Sequence, residues 1–191
     1  MQESITISVV KLSSDNITKF FVDSNHFRVK LYILKSTELT MPNKLLLGVG
    51  NDIRGDDAIG EIVVRELESD EWDKIDCGSV PENHITLIEE DEYDIVVIVD
   101  AAKMNLEPGE IRMVPRKHLG VFTMSTHALP LSTVMDFLER KVDEVYLIGI
   151  QPKDMSLKEG MTVELQEAKD RIIKLLKSNE WKDIPKLEAR K

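Results

Sequence analysis

The sequence predicts an α/β fold in which helices are layered on a sheet of buried, parallel strands. Three observations point to it. From Met41 onward, short apolar runs alternate with stretches of helical periodicity, the signature of strand-helix-strand units. Two of those runs, "LLLGVG" and "IVVIVD", are continuously apolar instead of alternating, as strands covered on both faces are. The chain of 191 residues, 42% of them hydrophobic, is long enough for one sizeable core with an appended piece.

Residues 1–40 read as an N-terminal extension. They hold two short apolar stretches, Ile5 to Leu12 and Phe27 to Leu34, suited to strands, but no group of residues that converges on a chemical site. At Met41 the texture changes to "MPNKLLLGVGN", and Met41 itself reads as a natural start, which makes the first 40 residues an upstream addition. The main domain is expected over 41–180, with a C-terminal tail at 181–191.

Within the domain, Leu45 to Val49 is the first strand. "DDAIGEIVVRELESD" follows with Ile59, Ile62, Val63, Glu66 and Leu67 at helical spacing, and either Asp56 or Asp57 is placed to cap that helix. A short second strand is expected around Ile75 to Ser79, then the loop "VPEN" and a partly helical "HITLIEEDEY". Ile95 to Val99 are all β-branched and form the strongest strand, with Asp100 at its carboxyl end. "EPGEIRMV" supplies a turn and an antiparallel edge strand. A loop through "FTMSTHALP" leads to a helix from about Leu131, "EVYLIGI" is another buried strand, and "TVELQEAKDRIIKLLK" is an amphipathic closing helix.

Composition excludes several classes of function. A formal charge of -10 repels a phosphate backbone, so nucleic acid is not an expected partner. The single cysteine, Cys77, rules out an internal disulfide and a thiolate metal cage, and fits a reducing cytoplasm. No stretch approaches the roughly 18 to 20 apolar residues that span a bilayer, and the N-terminus lacks the pattern of an export signal. A cytoplasmic chain with no membrane association is expected.

The glycine-rich turn "GVGNDIRGDDAIG" invites comparison with a dinucleotide site. Gly48 and Gly50 fit the first half of G-x-G-x-x-G, but Ile53 occupies the third position. Asp56 and Asp57 would also meet any anion that approached the helix N-terminus. The acids have a different reading. In open parallel sheets ligands bind beyond the carboxyl ends of the strands, where Asp57 follows the first strand and Asp100 ends the strand "IVVIVD". His127, in "MSTHALP", reaches the same rim if the next strand lies alongside. Two carboxylates and an imidazole from separate loops suit a divalent metal. Each residue also has a plainer role available: helix cap for Asp56 or Asp57, loop-amide acceptor for Asp100, structural histidine for His127. His26, His84 and His118 lack such company, Cys77 reads as a small buried residue, and the run from Glu89 to Asp94 as a solvated face.

Five stretches in this order, "LGVGNDIRGDDAIG", "GSVPENHI", "IVVIVDAAKMNLEPGEIRMV", "MSTHALPLS" and "LIGIQP", resemble the hydrogenase maturation endopeptidases. The resemblance covers most of residues 44 to about 176 and is strongest to the branch acting on formate-hydrogenlyase-type hydrogenase. It implies a three-layer fold of the phosphorylase/hydrolase-like kind, a twisted, mainly parallel sheet flanked by helices on both faces. It also implies a C-terminal cleavage of the nickel-iron hydrogenase large-subunit precursor, after a basic residue, once nickel is installed. Carried over residue by residue, it assigns Asp57, Asp100 and His127 as the catalytic and metal-binding set, with nickel brought by the precursor and no organic cofactor. The protease class it implies is aspartic by classification, and a monomer is expected.

Other catalytic patterns are missing: the sequence has no G-x-S-x-G, H-E-x-x-H or D-T-G motif. Two rival readings share the same residues. One is a metal-dependent amide hydrolase on the same sheet; the other is a non-catalytic chaperone that inspects nickel in the hydrogenase subunit.

Overall fold

The computed structural model describes residues 42–84, 88, 93–118 and 131–188 in full, and residues 6–13, 16–22, 29–35, 85 and 123–124 as backbone. The chain forms two compact units, Met1–Met41 and Pro42–Lys191.

The first unit is an antiparallel sheet of β1 (Thr6–Ser13), β2 (Asn16–Val22) and β3 (Val29–Lys35), in that order. Thr6 lies opposite Val22, and Val22 in turn opposite Val29. The outer two strands coincide with the apolar stretches expected from the sequence. The middle one escapes periodicity because "NITKFFV" mixes a polar first half with three consecutive apolar residues.

The second unit carries the main sheet. β4 (Lys44–Gly48) pairs in parallel with β5 (Trp72–Asp76) on one side and with β6 (Ile95–Lys103) on the other. β6 pairs in parallel with β9 (Glu144–Ile150), and β7 (Ile111–Met113) closes that side as an antiparallel edge. The spatial order is β5-β4-β6-β9-β7, and β8 (Thr123–Met124) pairs with the far end of β6. The antiparallel edge expected from "EPGEIRMV" is therefore present.

Alternate side chains enter opposite faces, as the two-residue period of a strand requires. Leu46, Val97, Val99 and Ile148 pack with Ile59 and Val63 of α1 (Ile59–Glu66) and Leu165 and Ile172 of α4 (Val163–Lys177). Leu45, Leu47, Val96, Ile98 and Leu147 pack instead with Leu131, Val134 and Leu138 of α3 (Leu131–Leu138). The result is three layers, with helices on both faces. Between the sheet's first edge and β6, the short α2 (Glu82–Ile85) opens inside the stretch expected to be a loop.

Three boundaries differ from expectation. β5 covers 72–76 instead of 75–79, because an edge strand reading "WDKID" is anchored by buried Trp72 and has no apolar run to announce it. β6 continues past Asp100 to Lys103, so Asp100 lies within a strand and not at its end. Residues 181–188, set apart in sequence as a tail, join the core: Trp181, Ile184 and Leu187 are buried. The Met113 amide donates to the Pro185 carbonyl at 3.0 Å, and the Leu187 amide to the Met113 carbonyl at 2.8 Å. Among the described residues, no helix is long and apolar enough to cross a membrane.

Candidate active site

The strand order decides where a site can form. From β4 the chain crosses to β5 on one side, whereas from β6 it goes on to β7 and later to β9, both on the other. The two central strands therefore diverge in their connections at the gap between β4 and β6, the topological switch point at which such sheets bind ligands.

The turn leaving β4 is held tightly there. The Val49 amide donates to the Val99 carbonyl at 2.9 Å, extending the ladder one residue beyond the Gly48-Val99 pair. α1 then packs against both strand ends so closely that a Cβ on Gly60 would lie 2.2 Å from the Val49 oxygen and 2.4 Å from the Val99 oxygen. Likewise, a Cβ on Gly50 would lie 2.1 Å from the Asp57 carbonyl oxygen. The Asn51 amide donates to that same oxygen at 3.1 Å, and the Asp57 amide donates to the Arg54 carbonyl at 3.2 Å. The glycines thus permit close backbone approach, and the approach fixes Asp57 over the end of β4.

Asp57 is 1% exposed, and its Oδ2 lies 3.9 Å from Arg54 Nε. Asp100 is 0% exposed. By alternation Asp100 shares the face of Ile98 and Ala102, the face covered by α3. It is the first residue of β6 beyond the ladder with β4, while still paired with Gly149 of β9. The expected rim position of Asp100 is corrected to a buried one. His127 lies outside the described residues, four positions before α3 in sequence. Among the described residues, no three His, Cys, Asp or Glu side chains are grouped to hold a metal ion. The two aspartates supply buried oxygen donors, one from the 3-10 turn after β4 and one from within β6, a donor type that suits a divalent cation.

Asp56 has a different occupation. Its Oδ2 accepts the amides of Lys153 and Asp154, both at 2.8 Å, and its Oδ1 accepts the amide of Thr162 at 2.7 Å. The Thr162 hydroxyl lies 2.9 and 3.0 Å from the two oxygens. Neither aspartate caps α1, which lacks a side-chain cap and is entered through a 3-10 turn at Gly55–Ala58. The cap expectation is corrected: Asp56 anchors the 151–162 loop.

Sequence reasoning missed two further contributors. Gln151, just after β9, accepts the amides of Met104 and Leu106 at 2.7 and 3.3 Å through Oε1, pinning the exit of β6 to the end of β9. A polar residue directly following an all-apolar strand was the available signal, the same one that marked Asp100. Glu61 is buried on α1 and takes a bond from Arg65 at 3.0 Å. Burial pushes its carboxyl above the ordinary value; Asp76, Asp52 and Asp57 add to the effect, and Arg65 opposes it. Its spacing of four residues from Arg65 on a helix was legible. Burial, reinforced by Asp76, pushes the Cys77 thiol up to about 12. That thiol stays protonated at neutral pH and is no nucleophile.

The three-layer fold has buried acids near its switch point, and the adjoining turn carries no dinucleotide-binding fingerprint. Comparison with known proteins gives the family. The model of the HycI hydrogenase maturation proteases matches residues 58–179. The hydrogenase 3 maturation protease of Escherichia coli (strain K12) is 37% identical over 136 residues, 69% of this chain and 87% of that protein. The solution structure of the endopeptidase HycI from Escherichia coli superposes with a TM-score of 0.70 at 32% identity, covering 78% of this chain and 99% of that one. The crystal structure of the [NiFe] hydrogenase maturation protease HycI from Thermococcus kodakarensis KOD1 gives 0.64 at 32% identity, covering 73% and 93%. The chain belongs to the hydrogenase maturation protease family, and it is a protease.

Proposed function

We propose that this endopeptidase removes the C-terminal extension of a nickel-iron hydrogenase large-subunit precursor, and that Asp57, Asp100 and His127 engage the nickel which the precursor carries. The observation that supports this most is the placement of Asp57 and Asp100. One buried carboxylate stands in the turn that follows β4, and the other in β6 one residue past its ladder with β4. Buried acids are stabilised as anions by a nearby cation, so a metal arriving within the substrate finds donors already held in place.

Nickel is here part of the substrate, and its role is docking: it fixes where the tail lies against the chain, which gives the scissile bond one register. The reading puts the chain in the cytoplasm, acting as a monomer, where its single buried thiol needs no oxidising environment.

The test is to incubate the chain with nickel-loaded and nickel-free precursor and follow the mass of each. Trimming of the loaded form alone is expected. Intact precursor in both reactions would remove the reading, and equal trimming of both would remove nickel from it.

A further inference from the structure

Arg54 immediately precedes the 3-10 turn that carries Asp57, and its backbone is fixed there. Its amide donates to the Asn51 carbonyl at 3.0 Å, its carbonyl accepts the Asp57 amide at 3.2 Å, and it forms a parallel bridge with Lys158. The head of the side chain is held differently. Nε is buried and finds no hydrogen-bond acceptor, yet it lies 3.9 Å from Asp57 Oδ2, and the side chain as a whole is 32% exposed. Arg65, on α1, is a locked guanidinium by contrast: Nε donates to Asp76 at 2.6 Å and Nη2 to Glu61 at 3.0 Å. The neighbouring Asp56 carboxylate is taken by three amides and the Thr162 hydroxyl.

Short charge-assisted hydrogen bonds fix a guanidinium in place, whereas a pair at 3.9 Å without one leaves it able to yield. Arg54 therefore lends Asp57 a positive charge without donating Nε to its oxygens. Buried carboxylate oxygens do not by themselves select one metal, because they accept divalent ions of many kinds. Charge supplies a means of selection. We propose that the Arg54 guanidinium is a charge filter, which repels free divalent ions from Asp57 and yields to a nickel ion that arrives inside the precursor. Protein ligands bind metals in deprotonated form, so a nickel ion already held by a protein carries anionic donors and a smaller net charge than the free ion. Repulsion by the guanidinium falls in proportion to that charge. The filter deepens the proposed function and rests on it for the source of the nickel. Repulsion of a free dication, however, depends on Arg54 and Asp57 alone.

The test is titration calorimetry of the full chain with nickel chloride alone, at low salt. Arg54→Gln removes the charge and keeps a polar side chain; it should bind nickel at least roughly tenfold more tightly than wild type. Arg54→Met, a second neutral variant, should match it. Arg54→Lys keeps the charge and should stay within roughly threefold of wild type. Asp57→Asn should erase the gain, so that its combination with Arg54→Gln binds no more tightly than Asp57→Asn alone. Circular dichroism checks the fold of each variant, and the partly exposed Arg54 side chain has no hydrogen bond through Nε to lose. Equal affinity in wild type and both neutral variants, including none in any of them, would overturn the filter. So would an equal gain in Arg54→Lys, or a gain that survives Asp57→Asn. If loaded precursor stays uncut, the proposed function fails and the calorimetry still decides the filter. If the filter fails, trimming of loaded precursor alone still upholds the proposed function.

Discussion

Asp56 and Asp57 share a side chain, a turn and near-complete burial, yet differ in what their oxygens meet. Asp56 gathers three backbone amides and a hydroxyl from the 151–162 loop; Asp57 has its Oδ2 3.9 Å from Arg54 Nε. Replacement by Asn separates the two roles. In Asp56→Asn an amide NH2 is turned toward N–H donors, and urea unfolding should show a loss of about 3 kcal/mol. In Asp57→Asn the shape is kept and the pair with Arg54 is lost, so the loss in urea should be smaller than for Asp56→Asn while processing of loaded precursor is abolished. Equal destabilisation by both would end this division of labour. The sequence offered both acids as candidates, and the family resemblance favoured Asp57 as the ligand. It could not show the work of Asp56, whose partners lie 97 to 106 positions away and leave no local pattern.

At the scale of elements, close packing of α1 on the ends of β4 and β6 controls the geometry of the turn. Gly60→Ala tests it directly. The added methyl would collide with two backbone oxygens that belong to the central ladder and cannot swing aside. Unfolding in urea should report a loss of about 3 kcal/mol or more, the upper range of overpacking. A loss below about 1 kcal/mol would mean that α1 can withdraw from the sheet without cost. Elements with a strong period were legible: β9, α3 and α4 lie where their apolar spacing put them, and the glycine-flanked "GEIRMV" gave the antiparallel edge. β5 and β2 were misplaced or missed because edge strands and short antiparallel strands need no continuous apolar run. The extension of β6 beyond Asp100 was hidden for another reason. An acid inside a buried strand reads as its end, when here it marks where a neighbour leaves.

For the whole molecule, alternation of apolar runs and helical patterns was enough to give a layered α/β domain. The order β5-β4-β6-β9-β7 was not, since it depends on which side each crossover takes. That order is what puts the topological switch point at the β4-β6 gap. The described site residues all belong to the unit Pro42–Lys191, which has apolar layers on both faces of its own sheet. A chain starting at Met41 is therefore expected to unfold cooperatively and to process loaded precursor with the kcat/KM of the full chain. Loss of the cooperative transition, measured by calorimetry, would show that the first unit is required for the second to fold.

The burial of Trp181 has an optical corollary. The chain holds two tryptophans, and their rings meet edge to face at 5.8 Å, with Tyr146 at 5.1 Å from Trp181. One indole belongs to the first edge strand and the other to the final segment of the core. All tryptophan emission from the molecule thus originates at a single seam, where the beginning and the end of the domain meet. Fluorescence, without any label, reports the closing of that seam rather than the average state of the chain.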